Sequence, residues 1–176
     1  MDVQAMNGRE VIKLPHPNLR KKAREVRDFG DDLQELVDDM IITMREEDGV
    51  GLAAPQINQS LRLIVVEYPE DDSQEESEKK LYIMANPVIV KRSEECELGI
   101  EGCLSVPDIV GEVERAVQVE VHGLNRFGKK TKIRAKGWLA RVFQHEIDHL
   151  DGVLFVDRAT RLFKTSDEEA QQAEQV

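Results

Sequence analysis

The chain has 176 residues, 40% of them apolar, with 24 Lys and Arg against 35 Asp and Glu, a formal net charge of −11. That length suits one domain, and that composition excludes wholesale disorder, collagen and coiled-coil arrays. No apolar run approaches the roughly 20 residues that span a bilayer, the N-terminus shows no secretory signal, and two cysteines make no disulfide scaffold, so a reducing cytoplasm is the expected compartment.

The charge is concentrated. Residues 67–80 carry seven acids and two lysines, and residues 166–176 carry four acids and no base, so −9 of the −11 lies in two stretches. They read as a solvated acidic loop, its part at about 71–78 set away from the motifs described below, and part of a polar C-terminal tail from about residue 158. No basic footprint stands out, so neither DNA nor other naked nucleic acid is expected as a partner, and no membrane either.

The first predicted element is a helix over 31–47. Leu33, Leu36, Val37, Met40, Ile41 and Met44 make one apolar stripe, Asp31 and Asp32 suit its positive end, and Gly49 is a stop. Short β-rich runs follow at 61–66, 81–90, 116–122 and 131–135. In the third, Val117, Val119 and Val121 alternate with Gln118, Glu120 and His122, the pattern of a half-buried strand. Residues 125–129, with Gly128, read as the hairpin turn between the last two runs. A second helix spans 138–150 between Gly137 and Gly152, and the polar segment from Asp157 predicts a third, frayed helix. The order of elements predicts an α+β fold: one domain over 1–176, its mainly antiparallel sheets wrapped around the second helix.

That helix contains His145-Glu146-Ile147-Asp148-His149. Residues i and i+4 share a helix face with Cβ atoms about 5–6 Å apart, so both imidazoles can reach one metal. Glu146, rotated about 100° from His145, can approach a metal-activated water as a base. Trp138 and Val142 lead up to the histidines on the same stripe. Plain core packing would give the same stripe, but the histidine pair would then need other partners. A zinc endopeptidase also uses this spacing, with a further His or acid downstream, yet no histidine follows His149.

The third ligand is open among Cys103, Cys96 and an acid. Cys103 follows Gly102 and precedes Pro107, which predicts a rigid extended loop. Cys96 stands among Glu94, Glu95 and Glu97, which would raise its thiol pKa. Residues 49–54 loosely match a dinucleotide fingerprint, but they follow a helix and run into Pro55. A better use for Gly49 and Gly51 is close approach of the backbone to something, with the Gln56 amide nearby.

Taken together, three segments resemble the peptide deformylase family. Its motifs G-x-G-x-A-A-x-Q, E-G-C-x-S and Q-H-E-x-D-H-x-x-G occur at 49–56, 101–105 and 144–152, in order and complete. The stretch 137–141 before the third motif is similar to the plant-organelle and cyanobacterial branch. The resemblance implies that Cys103, His145 and His149 hold one Fe²⁺, for which Zn²⁺, Ni²⁺ or Co²⁺ can substitute. It implies Glu146 as general base and then acid, with the Gln56 amide and the Leu104 backbone N–H as oxyanion donors. The implied substrate is the N-formyl-methionyl end of a nascent polypeptide, cut to formate and a free amine in a bacterial cytoplasm or an organelle stroma. A non-catalytic descendant would be expected to lack Glu146 or Gln56, and both are present.

Side chains are missing at Gly51 and Gly102, so a peptide could pair with the backbone at 50–51 in strand fashion. Val50, Trp138, Val142 and the His145 ring would line a slot for the methionine side chain, and Glu101 would pair with Arg115. Those family members that dock transiently on the ribosome do so by a basic C-terminal helix. The C-terminal segment here is short and acidic.

Overall fold

The computed structural model describes residues 8–73 and 76–166. Its regular elements are helix α1 (Asp31–Glu46), strands β1 (Gly51–Ala53), β2 (Leu63–Pro69), β3 (Lys79–Arg92), β4 (Cys96–Cys103), β5 (Val106–Ala116), β6 (Gln118–Leu124) and β7 (Lys130–Lys136), helices α2 (Gly137–Leu150) and α3 (Phe155–Arg158), and strand β8 (Arg161–Lys164). Two antiparallel sheets result, one of order β1-β2-β3-β6-β7 and one of order β4-β5-β8.

The larger sheet is covered on both faces at its β1–β2–β3 end. Along β2, Ile64 and Val66 enter the core around α2, while Leu63 and Val65 enter the core around α1. Successive strand residues point to opposite faces, so two covered faces require an unbroken apolar run, and 63–66 supplies it. At the β6–β7 end the pattern alternates. Val119, Val121 and Ala135 face α2, and the residues between them face away. Helix α2 is buried throughout 139–150, so the expected central helix is present.

Other expectations are corrected. The segment after Asp157 is not a helix: α3 ends at Arg158, and Arg161–Lys164 is a strand whose Leu162 pairs with Gly111 of β5. The edge of β5 offered open backbone groups that outweigh the weak helical pattern of a polar segment. The Cys103 stretch is the end of β4, not an extended loop, and its register shifts between Gly102 and Cys103. A bulge of this kind turns the strand and redirects the side chain that follows. Cys96 and Cys103 sit at opposite ends of β4, and both are free.

The acidic segment is also narrower than 67–80. Glu67 lies in β2, accepts from Arg45 of α1 at 2.6 Å, and donates its N–H to the Val50 carbonyl at 2.8 Å. Tyr68 packs on the same cluster as Val50 and Trp138. Glu67 and Tyr68 therefore stand beside the first motif, and among the described residues the irregular part is 70–73 and 76–78. The acidic tail from residue 167 lies outside the described residues. Among the described residues no helix is long and apolar enough to cross a membrane.

Candidate metal centre

Four elements converge on α2. His145 and His149 project from it one turn apart, with ring centroids 5.1 Å apart. The bulge ending β4 presents Cys103, whose Sγ lies 3.4 Å from His149 Nε2. All three ligand atoms fall within 4.8 Å of one another, and all three residues are buried. Two ligands of one tetrahedral ion, at metal distances of about 2.3 Å for sulfur and 2.0–2.1 Å for nitrogen, stand about 3.5 Å apart. The donor set fits a metal ion.

Unsatisfied atoms strengthen the fit. His145 Nε2 is buried with no hydrogen-bond partner, a condition that native structures avoid unless an ion, water or ligand is bound there. Its other nitrogen, Nδ1, lies 2.8 Å from Glu101 Oε1, the arrangement that orients a ligating imidazole. Burial disfavours a charged His145 ring, yet Cys103, Glu101 and Glu146 together push its pKa up to about 10. Burial, and then His145, drive His149 well below its usual value, which keeps that ring in the neutral form a metal needs.

Glu146 occupies the space left by a missing side chain. A Cβ at Gly51 would lie 2.6 Å from Glu146 Oε1. This is the close approach expected at the first motif, and the approaching group is a carboxylate. Glu146 is 1% exposed, and its Oε2 has no partner. Burial raises its carboxyl, partly offset by His145, to a pKa of about 7.

From the turn after β1, the Gln56 side chain reaches the same centre. Its Oε1 accepts from the Ala53 N–H at 3.0 Å, and its Nε2 donates to Ser105 Oγ at 3.2 Å and to Cys103 Sγ at 3.5 Å. The oxygen is thereby committed to the backbone and the NH₂ is aimed inward. Leu104 is the residue after Cys103, in the turn between β4 and β5. Val50 and Trp138 pack against the cluster that holds the fully buried Val142. Trp138 also lines a groove with Leu98, Gly99 and Arg141.

These features can be set beside known proteins. The sequence model described as polypeptide deformylase matches residues 8–165. A peptide deformylase of Symbiobacterium thermophilum is 50% identical over 167 residues, covering 94% of this chain and 74% of that protein. One from Desulforudis audaxviator is 46% identical over 155 residues, covering 88% of this chain and 96% of that protein. The chain belongs to the polypeptide deformylase family.

It is thus a metal-dependent hydrolase of the family that removes the formyl group from N-formylmethionine peptides. Solved deformylases share the fold. The class I type b protein of Acinetobacter baumannii with Met-Ala-Ser bound has a TM-score of 0.79 at 40% identity, covering 86% of this chain and 98% of that one. The plant-organelle likeness expected from 137–141 is not distinctive. A chloroplastic and mitochondrial deformylase of Arabidopsis thaliana is 44% identical over 172 residues, no nearer than the bacterial relatives.

Support for this deformylase centre extends further than the sequence disclosed. Glu101 does pair with Arg115, through two bonds of 2.9 Å, but it also accepts from Arg141 at 2.8 Å. Burial opposes the Glu101 charge, yet Arg115 and then His145 hold its carboxyl well below the usual range. Arg115 continues to Asp148 at 2.6 Å, which Arg158 also grips at 2.7 Å. The glycine at 99 admits Arg141, since a Cβ there would lie 2.7 Å from its Cζ. Arg141, Asp148 and Arg158 were missed. The signal available was a charged residue one turn before His145 and an acid adjoining His149, on a helix otherwise reading as core. Replacing Glu101 by Gln should lower unfolding free energy by roughly 3–5 kcal/mol, since two guanidinium groups would remain buried without their carboxylate. Denaturant titration tests this, and a loss under about 1 kcal/mol would mean that Asp148 and the backbone carbonyls suffice.

Proposed function

We propose that this deformylase acts through Cys103, His145 and His149 as ligands of a ferrous ion, with Glu146 as the proton-transfer group. One observation carries the reading: a thiol and two imidazoles meet in a buried centre beside a carboxyl placed by Gly51. When bound, the ion supplies Lewis acidity, polarising the formyl carbonyl and making water acidic enough to attack near neutral pH.

The protein's own groups do the rest. Glu146, with a pKa of about 7, takes the proton of the attacking water and returns it to the departing nitrogen. Gln56 Nε2 and the Leu104 N–H receive the developing oxyanion, each worth about 2.7–4 kcal/mol by comparison with other oxyanion donors. Gln56 is buried, which keeps bulk water from competing for its amide.

Substrate lies along β1, which forms an edge of the larger sheet. The Val50 carbonyl is spent on the Glu67 N–H, and alternate residues of a strand direct their backbone groups to opposite sides. Gly51 therefore offers its N–H and C=O to the open edge, where an extended formyl-peptide pairs as an added strand. Gly102 lies close by, next to Cys103, and Val50, Trp138 and Val142 form the apolar side toward methionine. This reading places the protein where chains begin with formylmethionine, a bacterial cytoplasm or an organelle stroma, with contact to the ribosome transient.

The test is formate release from formyl-Met-Ala-Ser by anaerobically purified protein, beside an unformylated protein substrate. Formate should appear only from the first, and cleavage of the second would overturn the reading. Iron is testable in the same assay. The Fe²⁺ form should lose activity in air over minutes to hours, because Cys103 is the oxidisable ligand nearest a redox-active ion. The Ni²⁺ form should persist and the Zn²⁺ form should be stable but slower. Equal air stability of iron and nickel forms, or zinc as the fastest, would refute that assignment.

A further inference from the structure

The hairpin β6–β7 carries a charge pattern opposite to that of the whole chain. Residues 125–136 contain six bases, Arg126, Lys129, Lys130, Lys132, Arg134 and Lys136, and no acid, in a protein of net charge −11. The last four alternate along β7, and alternation puts them on one face. That face is the one turned away from α2, because Ala135 and Ile133 take the other. Helix α1 covers the same face at Leu124 but leaves the rest bare. Arg134 is 75% exposed and Lys132 49%.

One further cation, Lys91, joins them on that face, while Arg92 turns toward Gln144 of α2 at the rim. Lys91 and Arg92 of β3 line a groove of about 520 Å³ with Arg134 and Lys136. Beside it, Lys130 and Lys132 line a second groove of about 590 Å³ with Val88, Val90 and His122. Among the described residues, acids are also present at this face, and Asp71 stands within electrostatic reach of Lys136. Glu70 borders the first groove at its Lys136 end, and Glu120 sits between them, bonded to His122 at 2.9 Å, Lys132 at 3.3 Å and Arg134 at 3.2 Å. His122, and then the two cations, hold the Glu120 carboxyl down to about 2, so it braces these side chains as a fixed anion.

We propose that the outward face of β7, with Lys91, docks the phosphate backbone of RNA. Alternate residues of a strand repeat every 6.4–6.8 Å, so the cations form a regular row on a shallow, exposed sheet. A repeating polyanion meets such a row without needing a matched apolar pocket. An acidic protein partner would call for an apolar, well-packed centre to its interface, and the centre of this face is the charged Glu120. RNA is chosen over DNA because the substrate proposed above is a nascent chain, which is made on RNA. The topology also fits. Strand β7 and the substrate strand β1 are the two opposite edges of one sheet, roughly 19 Å apart at four strand spacings. RNA held at one edge leaves the other open. Another basic stretch, 20–27, lies outside both sheets and offers no alternating row.

Binding of a fluorescent RNA duplex of roughly 16 base pairs to the metal-loaded protein tests the proposal. About four neutralised phosphates should weaken binding roughly 10²-fold between 50 and 200 mM salt. The quadruple variant Lys130→Gln, Lys132→Gln, Arg134→Gln, Lys136→Gln should lose most of the affinity and flatten the salt slope, with formate release from formyl-Met-Ala-Ser unchanged. The control Lys21→Gln, Lys22→Gln, Arg24→Gln, Arg27→Gln removes the same charge and should keep both. Should the first variant lose its thermal transition, the comparison passes to Lys130→Gln with Lys136→Gln, which lie outside the Glu120 ion pairs; their expected effect is a slope smaller by about 2. Equal loss in variant and control would overturn the proposal. So would tighter binding to phosphatidylserine vesicles or polyglutamate than to RNA. Loss of formate release with RNA binding intact would strike the catalytic reading and leave this one standing.

Discussion

Replacing Glu146 by Gln should leave the metal in place and slow formate release by at least ~10²–10⁴, the usual weight of a positioned acid or base. The amide is close in size to the carboxylate, so it still fits the space opened by Gly51. It cannot accept the proton of the attacking water, and it cannot hand one to the leaving nitrogen. Metal content by elemental analysis and single-turnover formate release, measured on one preparation, separate a proton-transfer role from a structural one. Near-normal turnover with full metal would sink the role given to Glu146. Loss of metal would show instead that this carboxylate belongs to the ligand set.

Replacing Cys103 by Ser should abolish activity and release the metal, while replacing Cys96 by Ser should do neither. A serine hydroxyl stays protonated where a thiolate binds. The substitution also removes the sulfur that Gln56 Nε2 and His149 Nε2 approach at 3.5 and 3.4 Å. Affinity should fall by more than the roughly 10–100-fold that follows loss of an outer hydrogen-bond partner. Cys96 is exposed at the far end of β4, bonded to the Glu94 carbonyl at 3.6 Å. Competition with a chromophoric chelator measures both variants. The reverse outcome, metal lost from the Cys96 variant and kept by the Cys103 variant, would overturn the ligand assignment.

Much of the centre was legible in sequence because its chemistry is local. His145 and His149 lie one helical turn apart, and a helix needs no tertiary information to put them on one face. The helix 31–47 was legible for the same reason, its stripe being continuous. What escaped depended on partners distant along the chain. The strand Arg161–Lys164 exists because β5 offers an edge, which nothing in four mostly polar residues announces. Arg141 received no role from the sequence, because the room it needs is made by Gly99, far upstream in β4. The basic face was hidden by arithmetic. Summed over the chain, its cations vanish beneath the acids of 67–80 and 166–176, and alternation along β7 with β3 alongside is needed to gather them.

The unpartnered atoms of α2 have a thermodynamic consequence. His145 Nε2, His149 Nδ1 and Glu146 Oε2 lie buried without partners on a helix that has no exposed side over 139–150. A bare centre keeps these atoms from water without repayment, whereas the unfolded chain hydrates them all. The ion is then a folding ligand as well as a reagent, and by mass action the fold deepens with free metal, by about 4.1 kcal/mol at 1,000 times the dissociation constant. A chelator becomes a denaturant for this protein. In a cell starved of the metal, the loss would be felt in how much protein survives quality control, as well as in turnover per molecule.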